Sequence, residues 1–269
     1  MFGWPNTYVF TKAMGEMLIG KLREDVPVVI IRPTIVTSTY REPFPGWSEG
    51  VRTIDSFIVA YAKGKLPCFL GNIETMFDVI PGDMVVNAVI VAMVGHANIH
   101  QSSSDIPFIY QLCSYSSSTY PLNCIKLRDY SYQYFSKNPL MDKDGKSHKI
   151  VMPLHFPTMA SFRRYIYVNY MLPLEGLKFV NAAFCQCFRD TCKDVERKIS
   201  HILRMVELNE PYIFFKGTFD ELNTKRLRMA MRANETEANT FYFDPKCINW
   251  EDYFMNIHIP GLVKYVIKL

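Results

Sequence analysis

Two patterns that follow each other within the first 33 residues constrain the fold more than any other feature. Residues 7–22 repeat apolar side chains every three or four positions, which predicts a helix whose start Asn6 or Thr7 can cap. Residues 26–32 then form a continuous run rich in β-branched side chains that ends at Pro33, as in a parallel strand buried on both faces. A helix followed at once by a buried strand is a unit of an α/β sheet. The sequence therefore predicts an α/β fold at this end of the chain.

The alternation of helix and strand continues to residue 112 and then changes character. Further helices are predicted at 53–63 and 83–96, with Asp83 as N-cap of the second, and short strands at 68–71 and 106–112. The remaining predicted elements are a connection with short elements over 113–160, helices at 161–172, 174–208 and 218–233, a strand at Thr240–Phe243 and an aromatic-rich end at 250–265. We thus expect an α/β domain at 1–112, a connection at 113–160 and a mostly helical domain at 161–269.

The charge and hydropathy of the chain narrow the classes of partner. The 30 basic and 26 acidic residues give a net charge of +4, which fits an anionic small ligand or a membrane surface and is too weak to indicate nucleic acid. The longest apolar stretch, Met84–Val94, is about half of the roughly 20 residues that a spanning helix needs, so we expect no transmembrane segment. The first residues lack the basic start and apolar run of a signal peptide.

Residue types that bind metals are present but are not spaced as ligands. Neither paired C-x-x-C knuckles nor an H-x-x-x-H motif occurs among the seven cysteines and six histidines, so we expect no metal. We expect the cysteines to be reduced, buried thiols of an intracellular protein, with disulfides or zinc as the alternatives. Asp78 and Asp83 are interpreted as turn or capping residues rather than as a catalytic carboxylate pair.

Tyr8 and Lys12 form the sharpest local signal for chemistry. Four residues apart on a helix, they lie on the same face one turn apart. A nearby ammonium favours the phenolate form of a phenol, which makes the phenol a usable proton donor to a carbonyl that receives a hydride. A Y-x-x-x-K motif alone is weak, since an ordinary surface pair of Tyr and Lys has the same spacing.

The surrounding sequence resembles a known family. Extended short-chain dehydrogenases share the order of a Tyr–Lys helix, a strand and a proline-containing loop beside the nicotinamide. More closely, the chain resembles the alcohol-forming fatty acyl-CoA reductases, the plant branch in particular. The segments that carry this resemblance are WPNTYVFTKA at 4–13, RPTI at 32–35, EPFPGW at 42–47, DVIP at 78–81, PYIFFKGTFD at 211–220, FDP at 243–245, WEDYF at 250–254 and HIPG at 258–261.

The resemblance implies a fold, a reaction and a set of site residues. The fold is the C-terminal half of a Rossmann-type extended short-chain dehydrogenase domain, followed by a mostly helical domain. The reaction is the NADPH-dependent reduction of a long-chain fatty acyl-CoA to a primary alcohol through the aldehyde. Tyr8 would polarise the carbonyl oxygen and protonate the alkoxide, and Lys12 would hold the ribose hydroxyls of the cofactor. Pro33, Thr34 and Ile35 would pack beside the nicotinamide.

One part of the family pattern is not in this sequence. No G-x-x-G-x-x-G loop, which would cradle the pyrophosphate, occurs among the thirteen glycines. We therefore expect an N-terminally truncated member whose 269 residues alone do not reduce acyl-CoA. The alternative is a non-catalytic remnant that binds lipid or a partner. A sugar epimerase of the same superfamily does not account for residues 211–261.

The resemblance also indicates which part of the protein would contact the acyl group and a membrane surface. Relatives in plants act at the endoplasmic reticulum or in plastids, and the oligomeric state is left open. We expect the C-terminal domain to shape an acyl channel and to seat the protein at a membrane surface without spanning it, with the alternative that its aromatic residues are only core. The residues named for this role are the aromatic Phe214, Phe215, Phe219, Trp250, Tyr253 and Phe254 and the basic Lys216, Lys225, Arg226 and Arg228.

Overall fold

Helices and short parallel strands follow each other along the chain in the computed structural model. It describes residues 3–66, 68–97, 107–114, 122–141, 145, 150–183, 189–232 and 239–267. The helices are α1 (Thr7–Leu22), α2 (Thr53–Ala62), α3 (Gly82–His96), α4 (Cys124–Lys137), α5 (Met159–Ile166), α6 (Leu172–Ala183), α7 (Arg189–Ile213) and α8 (Leu222–Met231). The strands are β1 (Val29–Pro33), β2 (Ile35–Thr37), β3 (Cys68–Leu70), β4 (Val79–Pro81), β5 (Phe108–Leu112) and β6 (Leu154–Phe156). Residues 250–267 form a C-terminal helical segment of alternating α- and π-helical turns.

Contacts group the chain into two units that cut across the order of the sequence. The first unit contains Met1–Pro67, Met76–Pro153 and Gly217–Leu269, and the second contains Cys68–Thr75 and Leu154–Lys216. Residues Gly217–Leu269 belong to the first unit partly because α8 contacts β5. There the Thr224 hydroxyl donates to the Gln111 carbonyl at 2.7 Å. The sequence-domain boundaries at residues 112 and 160 stay predictions.

Helix α1 and strand β1 begin and end close to where the sequence predicts. The Asn6 side chain caps α1 by accepting a hydrogen bond from the Val9 amide at 2.9 Å. After α1 the chain reverses through Glu24, which has a left-handed φ of 49°. β1 differs from the prediction because it is half-buried rather than buried. Among the described residues β5 is its paired strand, and α1 has no buried residue.

All three strand pairs are parallel. β1 pairs with β5, β2 with β4 and β3 with β6, each as a two-stranded sheet in the described part of the chain. Parallel pairing places the carboxyl ends of β1 and β5 on one edge, and those of β2 and β4 on one edge. In α/β proteins, ligands bind outside the carboxyl ends of the strands. The first unit therefore has an edge at which a site is expected.

Two sequence predictions about secondary structure are wrong. Helix α4 occupies 14 residues of the stretch predicted as a connection. The Asn123 side chain caps it by accepting from the Lys126 amide at 2.9 Å, and Leu127, Ser131 and Phe135 on its inner face are buried. The Asn cap and the four-residue spacing of these buried positions are the signals that the sequence interpretation missed.

The strand predicted at Thr240–Phe243 is absent from the described residues. Thr240 ends a helical turn, and the chain then runs into a short 3-10 helix at Pro245–Cys247. The Asp244 carboxylate caps this turn through the Lys246 amide, and Pro245 has no N–H to offer a ladder. Phe243 is fully buried, as a core side chain on irregular backbone.

The second unit has a small core of its own beneath α5, α6 and α7. Helix α5 continues through a π-helical stretch, Tyr167–Met171, into α6, so the predicted helix break near residue 173 does not occur. The residues that form this core are Cys68, Phe162, Ile166, Leu174, Cys192 and Ile199. On its surface, Arg163 pairs with Glu207 at 3.0 Å and Lys178 with Glu196 at 2.8 Å.

The stability of the first unit should fall at alkaline pH because the buried Tyr61 hydroxyl ionises there. Its hydroxyl donates to the Val151 carbonyl at 2.9 Å, and burial raises its pKa to about 12. Because the folded pKa lies above the unfolded value of about 10, the contribution is complete below pH 10 and is lost as the pH rises toward 12. The stability difference between wild type and Tyr61→Phe should therefore shrink over that range, as followed by urea denaturation. A difference that stays constant from pH 9 to pH 12 would contradict this assignment.

Candidate active site at the carboxyl ends of the strands

Tyr8 and Lys12 lie together on the first turns of α1. The Lys12 Nζ atom is 5.7 Å from the centre of the Tyr8 ring, as the four-residue spacing predicts. The Tyr8 side chain is 60% exposed, and Lys12 is exposed as well. A phenol and an ammonium are thus presented side by side to a ligand, while their roles stay predictions.

The position of this pair relative to β1 follows from an ion pair that joins α1 to β1. The chain reverses between the two elements, and Glu16 in the middle of α1 forms an ion pair with Arg32 near the carboxyl end of β1. Tyr8 precedes Glu16 by eight residues, which is about 12 Å along a helix axis. Tyr8 and Lys12 therefore lie toward the edge where β1 ends.

The segment Pro33–Thr34–Ile35 joins β1 to β2 at that same edge. The Thr34 amide donates to the Leu112 carbonyl at 2.9 Å, and the Ile35 amide donates to the Asp78 carbonyl at 3.1 Å. These bonds fix the joint against the ends of β5 and of the approach to β4. Pro33 is exposed, and Thr34 and Ile35 are half-buried, so the joint presents a surface beside the strand ends.

Asp78 and Asp83 hold backbone at this edge. The Asp78 Oδ1 atom accepts from the Ser114 amide at 2.7 Å and from the Thr34 hydroxyl at 3.3 Å, which ties the end of β5 to the joint. The interpretation of Asp78 as a turn or capping residue does not describe these bonds, because both partners are more than 30 positions away along the chain. The prediction that Asp83 is the N-cap of α3 is wrong, because Pro81 occupies that position and Asp83 lies in the first turn.

Asp83 instead holds the loop that follows β2. Its two carboxylate oxygens accept from the amides of Tyr40 at 2.8 Å, Arg41 at 2.7 Å and Glu42 at 3.1 Å. We call residues 38–47 the 38–47 loop. Thr39 closes it, since its hydroxyl donates to the Phe44 carbonyl at 2.7 Å. No local sequence pattern links residue 83 to this loop, which explains why this role was missed.

The outer side chains of the 38–47 loop stand at the carboxyl edge. Arg41 and Glu42 are exposed, as are the aromatic side chains of Phe44 and Trp47. The loop thus offers two aromatic rings, a basic side chain and an acidic side chain beyond the carboxyl end of β2. Such a mixed surface suits a ligand with both an apolar and an anionic part.

The proposed acyl-channel residues divide into buried and exposed groups. Trp250, Tyr253 and Phe254 are core side chains, between 0% and 4% exposed, so the prediction that they line a channel is wrong. Phe215 and Phe219 are exposed.

Helix α8 does not present all of its basic residues to solvent. Arg228 is buried against Glu221, with Nη1 and Oε2 3.2 Å apart, and Lys225 pairs with the same carboxylate at 3.1 Å.

The described residues offer neither a cluster of metal ligands nor a helix that could span a membrane. Within these parts of the chain no group of three or more His, Cys, Asp or Glu could hold a metal ion. No described helix is both long and apolar enough to cross a membrane. Cys68, Cys113, Cys124 and Cys192 are buried thiols and Cys247 is exposed, while Cys185 and Cys187 lie outside the described residues.

The donor groups at the edge fit part of a nicotinamide dinucleotide. The phenol of Tyr8 and the ammonium of Lys12 are exposed donors of the kind that ribose hydroxyls and a substrate carbonyl accept. The two side chains and the joint at residues 33–35 thus suit the nicotinamide riboside. The pyrophosphate needs a glycine-rich turn that opens a helix, and the sequence contains no such motif.

Comparison with known proteins extends over nearly the whole chain. Two sequence families, both described as male sterility protein, match it: an NAD-binding one at residues 1–89 and a second one at residues 169–269. The NAD-binding match confirms the predicted fold class, a Rossmann-type α/β part followed by a mostly helical part. The matches leave residues 90–168 outside both families.

Curated relatives agree with the family matches. The chain is 47% identical to the alcohol-forming fatty acyl-CoA reductase of Simmondsia chinensis over 267 residues, which cover 99% of this chain and 53% of the relative. It is 49% identical to fatty acyl-CoA reductase 1 of Arabidopsis thaliana, covering 100% of this chain and 54% of the relative. A chloroplastic fatty acyl-CoA reductase 2 of the same plant is 38% identical, with 99% and 43% covered. The chain thus spans about half the length of the curated relatives it matches.

Proposed function

The chain belongs to the family of alcohol-forming fatty acyl-CoA reductases, and on this premise we propose that the full-length protein reduces a long-chain fatty acyl-CoA to a primary alcohol with NADPH. The observation that carries the proposal is the exposed pair of Tyr8 and Lys12 at the carboxyl edge, with the Lys12 Nζ atom 5.7 Å from the Tyr8 ring. The names of the relatives supply the substrate class and the product.

Two reductions in succession give the alcohol. The nicotinamide ring supplies a hydride in each of them. In the first, the thioester carbonyl carbon gains the hydride, and the tetrahedral intermediate expels the CoA thiolate to leave the aldehyde. In the second, the aldehyde carbon gains the hydride, and its oxygen takes a proton to become the alcohol. The phenol of Tyr8 is the proposed donor of that proton, because it is exposed beside an ammonium.

The chain's other groups at the edge would orient the reactants. Lys12 would hold the ribose hydroxyls with its ammonium. Pro33, Thr34 and Ile35 would form the surface beside the nicotinamide ring, with backbone groups toward its carboxamide. Since Thr34 and Ile35 already hydrogen-bond to the chain around β4 and β5, this surface is rigid before the cofactor arrives.

The proposed location of the protein rests on the name of one relative and on two exposed aromatic side chains. We propose that it acts inside the cell, at the endoplasmic reticulum or in plastids, with peripheral contact to a membrane surface. A relative at 38% identity is named as chloroplastic, which supports the plastid. Exposed Phe215 and Phe219 are the remaining candidates for contact with lipid.

The full-length protein tests the function directly. Purified protein with NADPH and acyl-CoA of 14 to 30 carbons should yield the primary alcohol, with about two NADPH oxidised per alcohol formed because each reduction consumes one hydride. Gas chromatography with mass spectrometry measures the alcohol, and absorbance at 340 nm measures the cofactor. NADH in place of NADPH is the matched control and should support a lower rate. If the folded full-length protein forms no alcohol with either cofactor, the proposed reductase activity is wrong. The alternative of a non-catalytic protein that binds lipid or a partner is then supported.

A further inference from the structure

A buried polar network connects the C-terminal helical segment to the start of the 38–47 loop. The Tyr253 hydroxyl lies 2.7 Å from the Ser38 carbonyl oxygen and 2.8 Å from the Thr37 hydroxyl. The His258 Nδ1 atom lies 2.9 Å from the Ser38 hydroxyl. Tyr253 and His258 are 0% exposed and Ser38 is 2% exposed. The backbone at the end of β2 is thus held by two side chains more than 200 residues further along the chain.

A carboxylate completes the network on the far side of the histidine. The His258 Nε2 atom lies 3.0 Å from Asp55 Oδ1, without the geometry of a hydrogen bond. The other Asp55 oxygen accepts from the Arg52 amide at 3.2 Å, which places the carboxylate at the start of α2. His258 therefore lies between the first turn of α2 and the first residue of the loop.

The serine, histidine and aspartate have the composition of a hydrolytic triad, but their surroundings exclude that role. Ser38, His258 and Asp55 are all at most 3% exposed, so no thioester reaches the Ser38 hydroxyl. The same hydroxyl is also 3.2 Å from the Tyr253 hydroxyl, and its hydrogen bonds are used within the network. Burial raises the pKa of Tyr253, so its hydroxyl stays protonated and remains a donor to the loop. The network holds backbone and does no chemistry itself.

The loop is fixed at three places, two of them on the C-terminal helical segment. Asp83 holds its middle through three amides, the Tyr253–His258 network holds its start, and Gly46 near its end contacts Gly261. A backbone held at its start, middle and end has one conformation, so the exposed rings of Phe44 and Trp47 are held in place at the carboxyl edge. At the start of the loop, the side chains of Tyr253 and His258 hold Thr37 and Ser38.

We infer that Tyr253 and His258 are positioning residues for acyl-CoA, which act by fixing the 38–47 loop as the substrate-side wall of the site. This rests on the proposed function, since the loop follows the joint at residues 33–35 that would face the nicotinamide. Phe44 in the loop and Trp47 at its end would contact the acyl group, and Arg41 the anionic CoA. The C-terminal helical segment thereby affects substrate affinity without touching the substrate.

Kinetics of the full-length protein separate positioning from plain stability. Tyr253→Phe keeps the ring and removes only the hydroxyl that holds Thr37 and Ser38. It should raise the KM for palmitoyl-CoA by about fivefold or more, the effect expected from losing one hydrogen bond that fixes the site. The KM for NADPH should not change. Tyr61→Phe is the matched control, since it removes the hydroxyl of another buried tyrosine in the same unit, bonded to the Val151 carbonyl rather than to the loop. It should lower the melting temperature to a similar extent and leave both KM values unchanged.

A second variant and a binding measurement make each outcome decisive. Trp47→Ala at the end of the loop should raise the KM for palmitoyl-CoA, as Tyr253→Phe does. If Tyr253→Phe and Tyr61→Phe both change only the melting temperature, Tyr253 is a core residue and the inference is overturned. If the wild type forms no alcohol, the proposed function fails, and calorimetric titration with palmitoyl-CoA then decides about the loop. A lower affinity in Tyr253→Phe supports the inference, and an unchanged affinity or no binding to wild type overturns it.

Discussion

Replacing Tyr8 by Phe in the full-length protein should lower the turnover number roughly 100- to 10,000-fold, which is the contribution of one positioned general acid. The substitution removes only the hydroxyl and keeps the ring beside the Lys12 ammonium. Because the side chain is 60% exposed at the start of α1, we expect little change in stability. Stopped-flow or steady-state rates of alcohol formation at saturating acyl-CoA and NADPH measure the effect.

The binding constants show how the loss arises. The dissociation constant of NADPH should change little in Tyr8→Phe, because the phenol acts on the substrate oxygen. Lys12→Ala should weaken NADPH binding and lower turnover together, since the ammonium serves both the ribose and the phenol. Tyr167→Phe, another change at an exposed tyrosine on a helix, is the control and should keep the wild-type rate. Near-normal turnover of Tyr8→Phe would remove Tyr8 from the mechanism.

Gly261→Ala should be the most destabilising single substitution of the C-terminal helical segment. A Cβ atom at residue 261 would lie 2.0 Å from the Gly46 carbonyl oxygen and 2.7 Å from the Gly46 Cα atom. Both obstacles are backbone, and Gly46 has a φ of +79°, so neither partner can move aside cheaply. We expect a loss of about 3 kcal/mol or more, at the upper end for an overpacked site. That is a large share of the roughly 5–15 kcal/mol by which domains are stable.

Urea denaturation and the yield of soluble protein measure this loss. Gly20→Ala is the matched control, because residue 20 lies inside α1 and a Cβ atom there meets nothing within 4 Å. Since Ala favours a helix over Gly by about 1 kcal/mol, this control should be neutral or slightly stabilising. Equal denaturation midpoints for the two variants would show that the segment and the loop do not cross as described.

Local patterns in the sequence were sufficient for the elements that form the candidate site. The helix around Tyr8 follows from its apolar period and its Asn6 cap, and β1 follows from a run that ends at Pro33. The pairing of Tyr8 with Lys12 needs only the geometry of one helical turn. These predictions succeed because each depends on residues within one short continuous stretch of the chain.

What the sequence did not reveal are contacts between distant residues. Asp83 accepts from amides about 40 positions earlier, and His258 contacts Ser38 across 220 positions. A carboxylate at the start of a helix has the same local pattern whether it caps that helix or holds a loop, so Asp83 was assigned the wrong role. The aromatic residues at 250–254 are equally compatible with a channel and a core until their burial is known.

The distance of 220 positions between Ser38 and His258 also sets an order of events during synthesis. At roughly 5–20 residues per second, the ribosome completes His258 about 10 to 40 s after Ser38. For most of that interval, Ser38 and Asp55 are both present in the nascent chain without the imidazole that later lies between them. The first unit therefore reaches its final packing only after residue 258 has been synthesised, and the loop that follows β2 is among the last parts to become fixed.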